Sequence, residues 1–490
     1  MMDFTKNELK IARDLIQSKR NGKICLINGA SPRFLVFNEG APFVELFIET
    51  IRKVKFFDKL PSELRDEQLL NLLVSHNIIE ESDVSADFPE SLRCNFTTRP
   101  DSCSIYLNLT SKCTLNCIYC FANECSVDYQ PRNVPDYMPR EVAFKAIESA
   151  FHVISEGGCL EVVYFGGEPM MNWSLIKECI QFCENLKEEN NNKHIHHHIT
   201  TNMTLFPDDF LEWIKRYGIT LLIDVDGDEA SHDKQRPFKN GAGSFKTIKN
   251  NLNCLKQNGV VFSLRTTVTC NNVDKMKDIA SIHKELGSVS TAFPLITPFR
   301  SDGEIVCLDL IPDHNAYING LISVYESGLF DFTQIHPLNN YLPIIENGSI
   351  SHWNCGCPQG STPLITTDGN VYPCIYLQNM DTFCMGNVLT DEYHIFDSPV
   401  LSKMKQELSI DKMNNCKKCK YRYLCGGGCS IIRIAENMEK KYGSDDIKHY
   451  IDKLVCSVTK SIIEVALWHV ESILSKQSIK VEADYGRQED

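Results

Sequence analysis

The sequence predicts an α/β protein with a partial (β/α)6 barrel of the TIM type at its centre, a small domain before it and a cysteine-rich domain after it. Between Ser102 and about residue 310, apolar runs of strand length alternate with helical patterns, which is typical of parallel βα units. Clustered cysteines flank or enter this region at both ends. The 490 residues are enough for about two to four domains.

Residues 1–95 are predicted to be a separate domain. Asn7–Ser18 has the pattern of a short amphipathic helix, and Lys23–Asn28 and Arg33–Phe37 are predicted to be two strands joined by a turn. Helical patterns follow at Pro42–Val54 and Ser62–Ser75. This order resembles, in pattern only, the winged-helix-like recognition domain of enzymes that modify ribosomally made peptides, in which a leader peptide adds a strand to the hairpin. The alternative is an unrelated N-terminal cap on the barrel.

The central domain is predicted to span residues 100–310, with a bridging region at 311–350. Its predicted strands are Ser104–Asn108, Leu160–Tyr164, His196–Thr200, Thr220–Val225, Ser263–Val268 and Ser290–Phe293. The helices predicted between them include Arg140–Ser155, Ser174–Asn190 and Ser244–Asn258. Chemistry in parallel βα folds gathers at the carboxyl ends of the strands. Motifs that directly follow these strands are therefore candidate site residues.

Three cysteines follow the first predicted strand. Cys113, Cys117 and Cys120 have the spacing C-x3-C-x2-C, and thiolates at such spacing suit zinc or an iron–sulfur cluster. A structural zinc site takes four protein ligands, whereas a cubane held by three cysteines leaves one iron open. The motif resembles the signature of the radical S-adenosylmethionine (SAM) enzymes, in which SAM chelates the open iron. That family has the partial barrel fold predicted above.

Motifs after the next two strands resemble the SAM-binding segments of the same family. Gly166, Gly167 and Glu168 follow the second strand directly; glycine lets the backbone approach a ligand closely, and a carboxylate can pair with an ammonium. The resemblance assigns this segment to the methionyl amino group of SAM and assigns Tyr119 to the adenine. Asn202, at the end of the third strand, is similar to the family's Thr-Asn pair near SAM.

The end of the fourth strand supplies a further candidate segment. Asp224, Asp226 and Arg236 lie in a series that resembles the family's Ser-Leu-Asp-Gly, His-Asp and Arg motifs, whose serine and arginine hold the ribose and carboxylate region of SAM. Arg236 fits that role. Asp224 stands at the serine position, where it can accept hydrogen bonds from ribose hydroxyls but would repel the carboxylate of SAM, so its role stays open.

The C-terminal cysteines, within a domain predicted at residues 351–475 and before a tail at 476–490, form the most specific pattern in the chain. In order and spacing they are similar to the SPASM domain of radical SAM maturases, which holds two auxiliary [4Fe–4S] clusters. The resemblance assigns the cluster farther from the active site to Cys416, Cys419, Cys425 and Cys456. It assigns the nearer one to Cys357, Cys374 and Cys429, and leaves either Cys355 or a substrate thiolate as its fourth ligand.

The resemblance implies an oxidoreductase that cleaves SAM to a 5′-deoxyadenosyl radical and cross-links a ribosomally made precursor peptide. The implied cofactors are SAM and three [4Fe–4S] clusters, with flavodoxin or ferredoxin as electron donor. A cysteine thioether is the product we expect first, because a peptide-recognition domain and an open auxiliary iron both suit a cysteine-bearing peptide.

Three alternatives remain. Carbon–carbon cross-linking uses the same parts. Sulfatase maturation fits less well, because in that family an acidic residue directly follows the cysteine of the G-x4-C element, and here that residue is Ile375. The third is a non-catalytic scaffold whose C-terminal cysteines bind zinc as in a ribbon.

Composition bounds the partners. The net charge of −14 argues against nucleic acid as a main partner, because phosphate binding needs a basic face. No apolar run is long enough for a membrane span, and no basic segment precedes an apolar one at the start. We therefore expect a cytoplasmic protein whose 22 cysteines serve metal binding and packing rather than disulfides.

Overall fold

The computed structural model of the chain describes residues 8–37, 41–81, 101–122, 134–189, 192–300, 307–347, 355–390, 398–434 and 454–476. It has an N-terminal domain, a central βα domain and a C-terminal segment that adds to the central sheet. The predicted fold class, an α/β protein with a parallel sheet in its central domain, is confirmed.

The N-terminal domain has two small antiparallel sheets and two α-helices. One sheet pairs β1 with β5, and the other has the order β2-β3-β4. Its elements are β1 Leu9–Ile11, β2 Leu15–Arg20, β3 Lys23–Asn28, β4 Ser31–Phe37, α1 Ala41–Val54, α2 Glu67–Ser75 and β5 Ile79–Glu81. Helix α2 is capped by Asp66, whose side chain accepts a hydrogen bond from the Leu69 N–H.

The predicted helix at Asn7–Ser18 is wrong over the described residues, since this segment forms β1 and most of β2. Leu9 pairs with Glu81, and Leu15 pairs with Asn28. Strand β1 thus finds a partner distant in sequence, whereas β2 forms a hairpin with β3 across the two-residue turn Asn21-Gly22. Both pairings override a helical period that is only a few turns long.

The central sheet contains the six predicted parallel strands. These are β6 Ser102–Asn108, β7 Cys159–Phe165, β8 His194–Thr201, β9 Thr220–Asp224, β10 Ser263–Arg265 and β11 Thr291–Ala292. The intervening helices are α3 Arg140–Val153, α4 Trp173–Glu189, α5 Phe210–Tyr217, α6 Glu229–Gln235, α7 Phe245–Gln257 and α8 Met276–Leu286. Buried side chains alternate along β6 and β8, as expected for strands with one face on the core. The main core cluster lies between this sheet and helices α3, α4 and α7.

The sheet continues beyond the six strands at both edges. Strand β12, Ile335–His336, pairs in parallel with β11, so the bridging region adds a seventh parallel strand on that side. At the other edge, β13 Leu364–Ile365 pairs in parallel with β6 and forms a hairpin with β14 Val371–Tyr372. The C-terminal domain is therefore joined to the central domain by sheet hydrogen bonds beside the strand that leads to Cys113.

The remaining helices complete the C-terminal half. They are α9 His314–Glu326, α10 Leu342–Asn347, α11 Pro399–Glu407, α12 Arg422–Cys425 and α13 Cys456–Lys476. Within the described residues, no helix is both long and apolar enough to cross a membrane.

The N-terminal domain packs against this C-terminal half. Ile16 and Ile27 belong to a core cluster made mainly of C-terminal residues. The Arg422 guanidinium pairs with the Asp14 carboxylate at 2.8 Å, and both side chains are buried. The indole N–H of Trp468 on α13 donates to the Ser18 hydroxyl at 2.9 Å. The two parts thus share a core and a buried ion pair.

Candidate functional site

The loop with the three cysteines is held along its length by the segment after α6. The backbone N–H groups of Asn116 and Ile118 donate to the carbonyl oxygens of Pro237 and Gln235, at 2.8 and 3.0 Å. Leu115 also forms an isolated antiparallel bridge with Phe238. The loop leaves the carboxyl end of β6, so strand order places the three thiols at the carboxyl edge of the sheet.

The thiols of this loop lie in a partly desolvated site. Burial raises the pKa values of Cys113 and Cys117 above that of an ordinary thiol, and the neighbouring charge of Arg236 acts in the opposite direction. Across the described residues, no three Cys, His, Asp or Glu side chains are placed to hold a single metal ion.

The Gly166–Glu168 segment packs directly on the backbone that leads to the cysteines. The Gly167 N–H donates to the Thr110 carbonyl oxygen and the Glu168 N–H to the Lys112 carbonyl oxygen, both at 2.8 Å. A Cβ on Gly167 would lie 2.2 Å from the Lys112 carbonyl oxygen, which no real side chain tolerates. Glycine is therefore required there by the close approach of two backbones.

Glu168 is fully buried at the base of this turn. Its carboxylate accepts hydrogen bonds from the Thr201 hydroxyl at 2.7 Å, the Asn202 N–H at 2.8 Å and the Met170 N–H at 3.0 Å. Burial raises its pKa to about 7, against these hydrogen bonds. A cationic ligand that reaches this carboxylate would bind its charged form.

Asn202 connects the end of β8 to the cysteine loop. Its amide nitrogen donates to the Thr114 hydroxyl at 3.1 Å and lies 3.6 Å from the Cys113 sulfur. Its amide oxygen accepts from the backbone N–H and hydroxyl of Thr204, at 2.9 and 2.7 Å. The side chain is thus fixed from both ends beside the first cysteine.

Asp224 lies between two arginines, and its carboxylate forms hydrogen bonds with both. Arg265 donates to both oxygens, at 2.6 and 3.2 Å, and Arg236 donates to one of them at 3.1 Å. Burial would raise the pKa of Asp224, but the two guanidinium groups outweigh burial and hold that pKa below its usual range. The three groups together keep one net positive charge at the ends of β9 and β10.

Tyr119 joins the same network through its hydroxyl. Arg236 donates to the Tyr119 oxygen at 2.8 Å, and the hydroxyl donates to Asp226. Asp226 is fully buried and also accepts from the Gln235 amide at 3.2 Å. Burial raises its pKa to about 6, against the charge of Arg236. The cysteine loop is thereby tied to the end of β9 by side chains as well as by backbone.

Sequence reasoning missed Arg265 and the roles of Asp226 and Gln235 in this network. Arg265 ends β10 and Asp226 follows β9, so position at a strand end was a usable signal for both. For Gln235, at the end of a short helix, the sequence carries no comparable signal.

One group of C-terminal thiols includes Cys355. The Cys355 and Cys357 sulfurs lie 3.0 Å apart and share a hydrogen bond, which lowers the pKa of Cys355 and raises that of Cys357. A hydrogen bond with Cys374 also raises the pKa of Cys357. Burial, followed by the charges of Cys355 and Cys374, raises the pKa of Cys429. Four thiols therefore converge here.

A second group contains Cys416, Cys425 and Cys456 around the side chain of Arg433. Burial raises the pKa of Cys425 to about 12 against the charge of Arg433, and the charges of Cys416 and Cys456 act in the same direction as burial. Cys419 is tied to this group through the backbone, where its N–H donates to the Cys416 carbonyl oxygen at 2.8 Å. The division of these cysteines between two clusters stays a prediction.

Aromatic and polar side chains connect the cysteine loop to the nearer C-terminal thiols. The rings of Phe121, next to Cys120, and Tyr376, two residues after Cys374, have centroids 4.6 Å apart. The Asn108 amide at the end of β6 donates to the Gln378 side-chain oxygen at 3.0 Å. The cysteine loop and the segment after Cys374 are thus joined by side-chain contacts at the carboxyl end of β6.

Two family matches cover these two parts of the chain. Residues 107–281 match the radical SAM superfamily, and residues 355–420 match SPASM, an iron-sulfur cluster-binding domain. The first match spans Cys113 to Arg265, and the second includes five of the eight C-terminal candidates, Cys355, Cys357, Cys374, Cys416 and Cys419.

Several characterised proteins are similar to the chain over most of their length. A cysteine-type anaerobic sulfatase-maturating enzyme of Clostridium novyi is 26% identical over 65% of this chain and 85% of its own. The radical SAM cyclopropyl synthase TigE of Paramaledivibacter caminithermalis is 26% identical over 74% and 73%. The antilisterial bacteriocin subtilosin biosynthesis protein AlbA of Bacillus subtilis is 22% identical over 78% and 79%.

A solved structure supports the fold. Native anSMEcpe with bound AdoMet and Cp18Cys peptide superposes with a TM-score of 0.60 at 20% identity, over 76% of this chain and 99% of that one. At that identity the likeness concerns the fold.

Proposed function

We propose that this chain, which carries a radical SAM domain followed by a SPASM domain, is a peptide-modifying oxidoreductase. It cleaves SAM reductively to a 5′-deoxyadenosyl radical and installs a cross-link, a cysteine thioether, in a ribosomally made precursor peptide. The observation that carries the proposal is the convergence of the three-cysteine loop, Glu168, Asn202 and Arg236 at the ends of neighbouring strands.

The proposed SAM site assigns a task to each of these side chains. Cys113, Cys117 and Cys120 hold a [4Fe–4S] cluster, which supplies one-electron chemistry when bound. Glu168 accepts hydrogen bonds from the methionyl ammonium. Arg236, which forms an ion pair with Asp224, faces the carboxylate and ribose region of SAM. Asp224 serves here to fix two guanidinium groups rather than to bind SAM, which removes the repulsion expected from its position.

The two C-terminal thiol groups are proposed to hold the auxiliary clusters. Because Cys355 lies in contact with Cys357 in the nearer group, we assign Cys355, Cys357, Cys374 and Cys429 to one cluster with four protein ligands. The alternative of a substrate thiolate as fourth ligand is thereby disfavoured. These four residues would hold the nearer cluster, which would supply an acceptor for the electron released when the new bond forms.

A peptide substrate is supported by the N-terminal domain and by relatives that act on peptides or proteins. The β2-β3-β4 sheet is fixed to the C-terminal half through Asp14 and Arg422, so a leader peptide that adds a strand to this sheet would be held in a constant position relative to the barrel. The names of the relatives describe a sulfatase-maturating enzyme and a bacteriocin biosynthesis protein.

The kind of bond is the finer part of the proposal. Ile375 occupies the position after Cys374 where sulfatase maturases carry an acid, which disfavours sulfatase maturation. Carbon–carbon bond formation remains the second candidate, and it is favoured by the similarity of the chain to a radical SAM cyclopropyl synthase. Thioether formation is kept first because it suits a cysteine-bearing peptide: one carbon-bound hydrogen atom is abstracted, the cysteine thiol loses its proton as the C–S bond forms, and the remaining electron would pass to an auxiliary cluster.

Mass spectrometry of a co-expressed peptide tests this function. A short cysteine-rich peptide encoded beside the gene should lose two hydrogen atoms per cross-link when made with this enzyme, and its cysteines should resist alkylation. Co-expression with a Cys113→Ala variant should leave the peptide unchanged. Loss of hydrogen with all cysteines still alkylated would indicate a carbon–carbon link, and an unmodified peptide would contradict the substrate class.

Metal analysis separates the enzyme from a zinc-binding scaffold. Anaerobically reconstituted protein should be brown and contain roughly twelve irons per chain, four for each of three clusters. Colourless protein with stoichiometric zinc would instead favour the scaffold. We further propose that the enzyme acts in the cytoplasm and receives electrons from a flavodoxin or ferredoxin.

A further inference from the structure

Arg433 is a buried cation between the two groups of C-terminal thiols. Only 4% of its surface is accessible to solvent. It lies outside the segment that matches the SPASM domain. An arginine stays protonated even when buried, so its burial brings a full positive charge into the interior. Burying such a charge is costly unless nearby anions or dipoles compensate for it.

The contacts of Arg433 show what compensates its charge. Its Nη2 lies 3.6 Å from the Cys456 sulfur, and its Nε donates to the Gly427 carbonyl oxygen. Burial would lower the pKa of Arg433, but the neighbouring Cys456, Cys416 and Cys425 raise it. The cation therefore faces three of the four sulfurs proposed for the farther cluster.

The backbone around Arg433 is shaped to receive it. Gly426, Gly427 and Gly428 have φ values of +59°, +83° and +73°, a run of left-handed residues that only glycine adopts at low cost. This run turns the Gly427 carbonyl toward the guanidinium. A small pocket beside it is lined by the three glycines, Arg433 and Cys355, so the same side chain also borders the nearer thiol group.

We infer that Arg433 is a positioning residue that raises the reduction potential of the cluster proposed at Cys416, Cys419, Cys425 and Cys456. One-electron reduction adds negative charge to a cluster, and a fixed cation in a site of low dielectric stabilises the reduced state more than the oxidised one. An N–H group directed at a ligating sulfur acts in the same direction. The inference rests on the proposed function, because it requires the farther cluster to exist.

The position of Arg433 also gives the inference a consequence for electron flow. A higher potential at the farther cluster favours electron residence there over residence at the nearer cluster, whose cysteines Arg433 borders only across the cavity. The farther cluster would then serve as the exit for electrons from the active site.

A redox titration followed by electron paramagnetic resonance (EPR) tests the inference on the reconstituted full-length protein. Arg433→Met removes the charge, and we expect it to shift one cluster midpoint to lower potential while leaving the other two unchanged. Arg433→Lys keeps the charge but loses the planar fork, and its midpoint should fall between those of Arg433→Met and the unaltered protein. Lys418→Met is the matched control, because Lys418 lies between Cys416 and Cys419 in sequence but is exposed, so water screens its charge.

Iron content separates failure of the inference from failure of the proposed function. About twelve irons in the unaltered protein with no midpoint shift in either Arg433 variant would overturn the inference alone. An equal shift in Lys418→Met would also overturn it, because the effect would then be one of net charge. About eight irons in the unaltered protein, with no third cluster signal, would remove the farther cluster and the inference with it. If Arg433→Met does not retain iron, the midpoint of Arg433→Lys decides between the outcomes: a value below that of the unaltered protein supports the inference, and an unchanged value overturns it.

Discussion

Glu168 combines a buried carboxylate with three hydrogen-bond donors, and in the proposed SAM site this should make SAM binding depend on pH. Its pKa of about 7 reflects burial, so in the absence of a cationic ligand the group is largely protonated below pH 7. Since the methionyl ammonium would bind the carboxylate form, SAM affinity should rise through pH 7 and fall about tenfold per unit well below it.

Isothermal titration of the reconstituted protein with SAM between pH 6 and 8.5 would measure this dependence. Glu168→Gln should weaken binding on the order of 100-fold or more, as expected when one partner of a buried charge pair is removed, and should flatten the pH profile. Glu161→Gln on the same strand is the control and should bind as the unaltered protein does. If the SAM affinity of Glu168→Gln still depended on pH as it does in the unaltered protein, the assignment of Glu168 to the methionyl ammonium would be refuted.

The ion pairs of Asp224 are expected to affect the stability of the fold. Its pKa is lowered in the folded protein, so its contribution to stability is present above the unfolded value of about 4 and is lost as pH falls through the folded value. Asp224→Ser removes the carboxylate that Arg236 and Arg265 share, and we expect a loss of about 3 to 5 kcal/mol in the free energy of unfolding at pH 7.

Denaturant titration of Asp224→Ser beside Asp228→Asn checks this expectation. Asp228 is half exposed, pairs with Lys275 and caps α6, a role that asparagine also fills, so its variant should lose less than about 1 kcal/mol. Equal losses in the two variants would show that the arginine pair does not depend on Asp224.

The sequence predicted Glu168, Asn202 and Arg236 as candidate site residues, since Glu168 and Asn202 follow strands and Arg236 completes the motif series after β9. It did not predict that Arg265 would neutralise Asp224, because that contact joins the ends of β9 and β10 through side chains. Strand order can be inferred from alternation, but which side chains at the strand ends touch depends on register.

Among the elements, the turn after β7 is the one most sensitive to substitution. Gly167→Ala would place a Cβ 2.2 Å from the Lys112 carbonyl oxygen, so the backbone that leads to Cys113 must move. We expect this variant to lose about a third of its iron, the share of one cluster among three, and to lose its response to SAM.

Gly218→Ala provides the control for an alanine at a left-handed glycine. Gly218 ends α5 with φ +60°, and no atom lies within 4 Å of its added Cβ. This variant should cost about 1 kcal/mol in stability and retain its full iron content by colorimetric assay. Equal iron loss in both variants would contradict a specific contact between the turn and the cysteine loop.

Elements with a local signal were predictable, and elements that depend on distant partners were not. Helices α3, α4 and α7 match their predicted bounds to within two residues, because an apolar stripe specifies each one locally. Strands β1 and β2 were predicted as a helix. The partner of β1 is the distant β5, whereas β2 pairs with β3 across Asn21-Gly22, a local hairpin signal that the helical period concealed. The short strand β12 likewise exists through its pairing with β11.

At the scale of the whole molecule, three parts are fastened around the carboxyl edge of one sheet. The C-terminal hairpin pairs with β6, and the N-terminal sheet shares a core with α13 and the segment around Arg422. The order of the three parts was predictable from motif positions. Their docking was not, because it rests on contacts such as that of Asp14 with Arg422, which lie 408 positions apart.

The most direct test of the account is the EPR spectrum of the dithionite-reduced protein with and without SAM. We expect SAM to change the signal of one cluster and to be converted to 5′-deoxyadenosine, and we expect a Cys113→Ala, Cys117→Ala, Cys120→Ala variant to lose both responses while its auxiliary clusters remain. An iron-loaded protein whose reduced spectrum is the same with and without SAM would contradict the central claim that SAM binds at the three-cysteine loop.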